Sequence, residues 1–170
     1  MEIRYLTPDD SILEISNIYE KSWKYAYHNI IPQSFFDSIP NGRWAGGISR
    51  EGMQNLVLLE NDRIIGTAGI CKSRWAQYPD YGEIVSIYFL PEYIGQGYGT
   101  YLIKKCVAEL NQRGFDSVLL WVLEENTRTR HFYEKHGFIC TEEYRDDNIG
   151  GKALREVLYT YTPDKKGSTQ

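Results

Sequence analysis

Residues 82–110 read GEIVSIYFLPEYIGQGYGTYLIKKCVAEL, and this stretch decides the fold. Its apolar run Ile84–Leu90 predicts a strand, and the amphipathic segment that starts at Thr100 predicts a helix. Between them, glycines occupy every second position of Gly95–Gly99. Glycine has no side chain to hinder an approaching ligand, and the amides at the start of a helix attract anions. The stretch therefore predicts a turn that holds a phosphate group.

The remainder of the chain predicts one mixed α/β (α+β) domain, with a single sheet and helices on both faces. Hydrophobic periodicity and turn residues give its elements in chain order. They are a strand at Ile3–Tyr5, a helix capped by Asp9 or Asp10 that runs to about Tyr27, a short helix that begins at Pro32 and holds Phe35, Phe36 and Ile39, strands at Asn55–Leu59, Ile64–Cys71 and Glu83–Leu90, the helix from Thr100 to Gly114, a strand at Val118–Leu123, a helix between Asn126 and Gly137, a strand that starts at Phe138–Cys140, and a final strand at Ala153–Tyr161. We expect the domain to span residues 1–162 and a polar tail to follow at 163–170.

Composition narrows the class of protein. The net charge of −4 argues against a nucleic-acid partner, and no apolar run approaches the length of a membrane span. The three cysteines and three histidines share no metal-ligand spacing, so we expect no metal site. Reduced thiols favour a cytoplasmic protein. An exposed sheet edge would permit a homodimer.

Two phosphate-binding motifs fit the glycine turn poorly. A Walker A loop requires a lysine before its serine or threonine, whereas Thr100 follows Gly99 directly. A dinucleotide-binding turn requires Gly-x-Gly-x-x-Gly in a first βαβ unit, with an acidic residue further along. The turn here is Gly-x-Gly-x-Gly, although Glu124 at the end of the next strand keeps a dinucleotide-binding oxidoreductase open as an alternative.

Taken together, three segments resemble the GNAT superfamily of N-acetyltransferases. Ile87–Tyr93 followed by Gly95–Gly99 is similar to the acetyl-CoA signature of that family, and Asn126 with His131–Phe138 is similar to its second signature helix. Val57–Gly69 is similar to its central hairpin. The resemblance implies a mostly antiparallel sheet of about seven strands. One position departs from the signature, because Ile94 stands where the family has glutamine or arginine.

The resemblance implies transfer of an acetyl group from acetyl-CoA to a primary amine of a small molecule or peptide, by direct attack in a ternary complex. An amine must lose a proton before it attacks, so the reaction needs a base. Glu83, at the start of the strand before the glycine turn, is our candidate. By resemblance, Tyr133 is the acid that protonates the departing CoA sulfur, and Asn126 contacts the pantetheine arm.

The resemblance also implies where acetyl-CoA binds. The backbone of Tyr88, Phe89 and Leu90 would pair with pantetheine, exposed by a strand splay after Ile87. The amides that would hold the pyrophosphate are those of Gly95, Gln96, Gly97, Tyr98, Gly99 and Thr100. Candidates for the 3′-phosphate are Lys104, Arg128 and Arg130.

The resemblance implies that the first two helices and the loop before the glycine strand form the walls of the acceptor site. Trp23, Tyr27 and Trp75 are the candidates, because aromatic walls suit an alkyl amine or its cation. A non-catalytic acyl-CoA-binding or sensor domain on the same fold remains the alternative, motivated by Ile94.

Overall fold

The computed structural model describes residues 1–163, so most of the predicted tail at 163–170 lies outside the described residues. The strands are β1 (Glu2–Tyr5), β2 (Gln54–Glu60), β3 (Arg63–Lys72), β4 (Gly82–Phe89), β5 (Val118–Leu123), β6 (Ile139–Ile149) and β7 (Lys152–Tyr161). The helices are α1 (Ile12–Tyr27), α2 (Gln33–Asp37), α3 (Ala45–Ile48), α4 (Tyr98–Gln112) and α5 (Thr127–Lys135), with a 3₁₀ turn at Pro91–Tyr93. The mixed α/β prediction is confirmed.

The seven strands form one sheet in the order β1-β2-β3-β4-β5-β7-β6. Every neighbouring pair is antiparallel except β4 and β5. Parallel strands need a crossover, and α4 supplies it between β4 and β5. This mostly antiparallel sheet lacks the doubly wound parallel arrangement that the dinucleotide hypothesis requires.

Helices cover both faces of the sheet, as predicted. On the α4 face, Leu102 and Cys106 of α4 pack with Tyr133 of α5 against Leu120 of β5. On the α1 face, one cluster joins α1 to β2, and another joins α2 to Leu123 and residues of β7. Alternation along each strand thus divides its side chains between two different environments.

The parallel strands β4 and β5 separate from each other over most of their length. They pair only at Gly82↔Val118 and Glu83↔Leu119, after which β4 stays with β3 and β5 stays with β7. A register shift in the β3–β4 pair lies where they part, and such bulges bend a strand. The splay therefore begins four residues before the predicted position at Ile87, and it leaves a wedge-shaped gap in the sheet.

Several element boundaries differ from the prediction. The helix α4 begins at Tyr98 rather than Thr100, and the N-cap of α1 is Ser11 rather than Asp9 or Asp10. The strand β6 begins at Ile139, within the predicted start, and runs to Ile149. The short helix α3 had no recognisable sequence signal. Within residues 1–163, no helix combines the length and apolar character needed to cross a membrane.

Candidate active site

The glycine turn lies at the N-terminus of α4. Gly95 and Gly97 adopt left-handed φ angles of 87° and 90°, which favour glycine. Gly97 is the N-cap of α4 without a side-chain cap, and a Cβ at this position would meet no atom within 4 Å. The N–H of Thr100 donates to the Gly97 carbonyl at 3.1 Å, so this amide is already used inside the turn. The N–H groups of Tyr98 and Gly99 lie in the first turn of α4, where backbone amides have no partner within the helix.

Residues around the turn fix its shape. A Cβ on Gly99 would lie 3.0 Å from the Phe132 ring, so glycine is needed for α4 to approach α5. The Gln96 amide donates to the Glu92 carbonyl at 2.6 Å, and Ile94 packs against the core. The departure at Ile94 therefore contributes packing and no polar group.

The edge of β4 that faces the gap carries unpaired backbone groups. The N–H of Leu90 donates to the Ile65 carbonyl of β3 at 2.9 Å, so this amide points away from the gap. Because successive residues of a strand direct their amides to opposite sides, Phe89 and Ile87 face the gap. Of the three predicted pantetheine contacts, Phe89 has the fitting backbone. The backbones of Tyr88 and Leu90 face β3. Ile87, which was not among the predicted contacts, has its backbone toward the gap.

Three tyrosines line the open end of the gap. Tyr133 of α5 is 7% exposed, and burial raises its pKa well above the usual value. Burial likewise raises the pKa of Tyr88, and it raises that of Tyr27 to about 12. The charge of Tyr27 would act on both other hydroxyls, so α1, β4 and α5 meet here. All three phenols keep their protons at neutral pH.

Asn126 lies at the same end, where β5 leads into α5. Its side-chain oxygen accepts the N–H of Thr129 at 3.3 Å, which confirms the predicted N-cap. The residue is 6% exposed, and its side chain partly offsets the rise in the pKa of Tyr27. Asn126 therefore faces the gap beside the tyrosines.

Glu83 is 1% exposed and its carboxylate is enclosed by donors. Arg74 donates its Nη2–H at 2.7 Å, its Nε–H at 3.1 Å and its backbone N–H at 3.0 Å. The indole N–H of Trp75 donates at 3.2 Å. Four donors occupy most of the lone-pair sites of a carboxylate. These contacts weigh against Glu83 as a base, a role that stays a prediction.

The predicted acceptor residues lie on the α1 face in two groups. Trp23 donates its indole N–H to the Tyr88 hydroxyl at 2.9 Å and packs edge-on against Tyr27 at 5.0 Å, beside the gap. Trp75 lies further away, with its ring 5.1 Å from that of Trp121. The three residues therefore do not form one wall.

A second carboxylate, Glu156 of β7, was missed by the sequence analysis. It pairs across the sheet with Leu123 and forms an ion pair with Arg145 of β6. The guanidinium of Arg145 lies 4.7 Å from the Trp75 ring and 5.1 Å from the Trp121 ring. A signal was present, because Glu156 interrupts the apolar phase of an alternating strand between Leu154 and Leu158.

The three residues predicted to bind the 3′-phosphate lie in different places. A Cβ on Gly95 would lie 3.4 Å from the Arg128 guanidinium, so this cation adjoins the turn. Lys104 lines a cleft of about 650 Å³ between α4 and α5, together with Lys135 and His136. Arg130 instead donates to the Tyr159 hydroxyl at 3.0 Å and to the Glu124 carbonyl.

The glycine turn, the gap and α5 all lie in a part of the chain that matches a known protein family. The profile of the "Acetyltransferase (GNAT) family" matches residues 12–138. The chain belongs to this family. The resemblance noted in the sequence is thereby confirmed.

Individual relatives agree with the family assignment. The uncharacterized N-acetyltransferase YuaI of Bacillus subtilis is 29% identical over 152 residues, covering 87% of this chain and 86% of that protein. The [ribosomal protein bS18]-alanine N-acetyltransferase of Haemophilus influenzae is 39% identical over 110 residues, covering 63% and 71%. The crystal structure of the paia N-acetyltransferase from Thermoplasma acidophilum in complex with coenzyme A superposes with a TM-score of 0.71 at 19% identity, covering 96% of this chain and 100% of that one. At that identity, the likeness establishes the fold.

Proposed function

We propose that the protein is an N-acetyltransferase that transfers an acetyl group from acetyl-CoA to a primary amine of a small molecule or peptide. The observation that carries the proposal is the gap between β4 and β5, which ends at the glycine turn of α4. An extended amide-bearing arm fits the unpaired edge of β4, and a phosphate fits the open amides of the turn. Bound acetyl-CoA supplies an activated acyl carbon.

Within this proposal, the residues of the chain position the reactants and move protons. The backbones of Ile87 and Phe89 hold the arm, and Asn126 faces it across the gap. Tyr133 holds a proton at its hydroxyl and donates it to the departing sulfur. Holding both reactants in line supplies much of the rate, so no covalent enzyme intermediate is required.

The acceptor approaches from the α1 face, because α4 and the glycine turn occupy the other face. Trp23 and Tyr27 lie beside the gap on that face and suit the alkyl part of an amine. A relative that acetylates an alanine of a ribosomal protein supports peptide amines as one acceptor class. A cytoplasmic location and a dimer through the edge strand β6 complete the proposal.

The proposal is tested by binding and turnover together. We expect acetyl-CoA to raise the thermal midpoint, whereas NAD and ATP leave it unchanged. We also expect release of CoA with at least one member of an acceptor panel: an alkyl diamine, a triamine and short peptides that begin with alanine. Binding without release of CoA would favour the non-catalytic sensor, and no binding would refute both.

A matched pair of glycine variants tests the turn itself. Gly97 and Gly114 flank the two ends of α4, share a φ of 90°, and have no atom within 4 Å of an added Cβ. Gly97→Ala and Gly114→Ala should therefore destabilise the fold by similar amounts, about 1 kcal/mol. Calorimetry should show at least tenfold weaker acetyl-CoA binding for Gly97→Ala and unchanged binding for Gly114→Ala. Equal affinities would place the phosphate elsewhere.

A further inference from the structure

The reaction needs a base on the α1 face, where the described residues place one fully enclosed carboxylate and one that is partly exposed. Glu83 lies on β4 and Glu156 on β7. Glu83 pairs with Leu119 and Glu156 with Leu123, four residues further along β5. At about 3.3 Å per residue, roughly 13 Å of strand separates the two positions. Only the second lies at the end of β5 that leads to Asn126.

We propose that Glu156, rather than Glu83, takes the proton from the acceptor amine. This inference rests on the proposed function. The side chain of Glu156 is 17% exposed, so it combines burial with access to a ligand. Its charge is close enough to Tyr27 to add to the rise in the pKa of that phenol. Glu156 therefore lies near Tyr27, whereas Glu83 lies near Cys71 and Arg74.

The surroundings of Glu156 make its carboxylate a stronger proton acceptor than an ordinary glutamate. Burial raises its pKa, the Asp147 charge of β6 adds to the rise, and Arg145 opposes it. From α1, the neutral phenol of Tyr27 faces it. A base works best when its pKa lies near the working pH.

An unpaired donor lies on the same face. The indole nitrogen of Trp121 is buried and has no hydrogen-bond partner within residues 1–163. Trp121 precedes Leu123 by two residues, so it shares the face of Glu156. A buried donor without a partner is costly, and an oxygen of the acceptor or a water held by it satisfies this one.

Glu156 accepts one proton from the ammonium group, and the freed nitrogen lone pair forms the C–N bond as the C–S bond to CoA breaks. Tyr133 gives a proton to the sulfur and recovers one from the nitrogen through water. Glu156 then releases its proton to solvent. The sum is one amide, one thiol and one proton from an ammonium ion and a thioester.

The test begins with the protein free of ligands. Carbon-detected NMR of side-chain carboxyls, with Glu156→Gln for assignment, should show the Glu156 pKa above the usual glutamate value of about 4.3. Arg145→Met should move it higher, because the opposing cation is removed. Arg74→Met, the matched change in the other ion pair, should leave it in place. A Glu156 that titrates at the ordinary value, or that ignores Arg145→Met, overturns the inference.

Kinetics then separates the two carboxylates. With whichever amine of the panel is acetylated, kcat/KM of the wild type should rise with pH through the pKa of Glu156. Glu156→Gln should remove this rise and lower the rate about 10²- to 10⁴-fold, while acetyl-CoA binding stays intact. Arg145→Met should shift the rise to higher pH, which covers the case that Glu156→Gln folds poorly.

Two outcomes overturn the proposals separately. If Glu83→Gln removes the rise and Glu156→Gln retains it, the base is Glu83 and only the present inference fails. If the wild type binds acetyl-CoA but acetylates no amine of the panel, the proposed function fails and the inference fails with it.

Discussion

Two ion pairs on the α1 face, Glu83–Arg74 and Glu156–Arg145, use the same residue types in different surroundings. The carboxylate of Glu83 is 2% exposed and receives four donors, one of them from Trp75. The carboxylate of Glu156 is 17% exposed, and its arginine lies over two indole rings. The difference shows that the number of hydrogen bonds a carboxylate already accepts, rather than its position in the sequence, decides whether it can still accept a proton.

The largest expected effect concerns Tyr133 combined with each carboxylate. Tyr133→Phe should lower kcat about 10²- to 10⁴-fold, because the acid is lost. Residues that act in one reaction step are not additive. Adding Glu156→Gln to Tyr133→Phe should therefore cost less than Glu156→Gln alone.

The same measurement with Glu83 supplies the control. Adding Glu83→Gln to Tyr133→Phe should multiply the two separate effects, because Glu83 acts through the fold. The assay is single-turnover release of CoA. Additivity for Glu156, or its absence for Glu83, would reverse the roles assigned to the two ion pairs.

The next effect is on stability. Arg74→Met leaves a buried carboxylate with two fewer donors, so we expect a loss of about 3 kcal/mol in the free energy of unfolding. Arg145→Met leaves a carboxylate that water reaches, so we expect a loss of about 1 kcal/mol or less. Urea unfolding at pH 7 measures both. Equal losses would mean that the two carboxylates are equally enclosed.

The smallest effect concerns the rings under Arg145. A double-mutant cycle of Trp75→Leu with Arg145→Met should give a coupling energy of about 0.5–1 kcal/mol, as expected for a cation over an aromatic face. The same cycle with Trp23→Leu should give none, because Trp23 contacts Tyr88 and Tyr27 instead. Thermal unfolding of the variants supplies the values. Coupling to Trp23 would show that the two aromatic groups form one wall.

Local sequence patterns were sufficient for most of the fold. The strand at Val118–Leu123 has the bounds that its apolar run predicted, and the first helix ends at the predicted Tyr27 although Ser11 rather than Asp9 or Asp10 caps its start. The cap at Asn126 and the left-handed glycine turn also followed from local rules, since both depend on a few adjacent residues. The start of β6 near Phe138–Cys140 was predicted, but no local pattern gave its end, because its residues after Cys140 are polar and exposed and show little apolar alternation.

The candidate site was only partly predictable. Tyr133, Asn126 and the turn lie within the local signatures that carry the family resemblance, and the structure places them around one gap. The enclosure of Glu83 was not predictable, because it depends on how the loop carrying Arg74 and Trp75 folds back onto β4. Glu156 was missed because its partners, Leu123 and Arg145, come from two other strands.

The sequence by itself determined most of the elements, the left-handed glycine turn and the family, because each depends on residues that are close along the chain. Only the tertiary structure decided where β4 and β5 separate, which carboxylate is enclosed, and which lies beside the tyrosines. Burial and hydrogen bonding across the sheet control these properties, and they arise from pairing between strands that are distant in sequence.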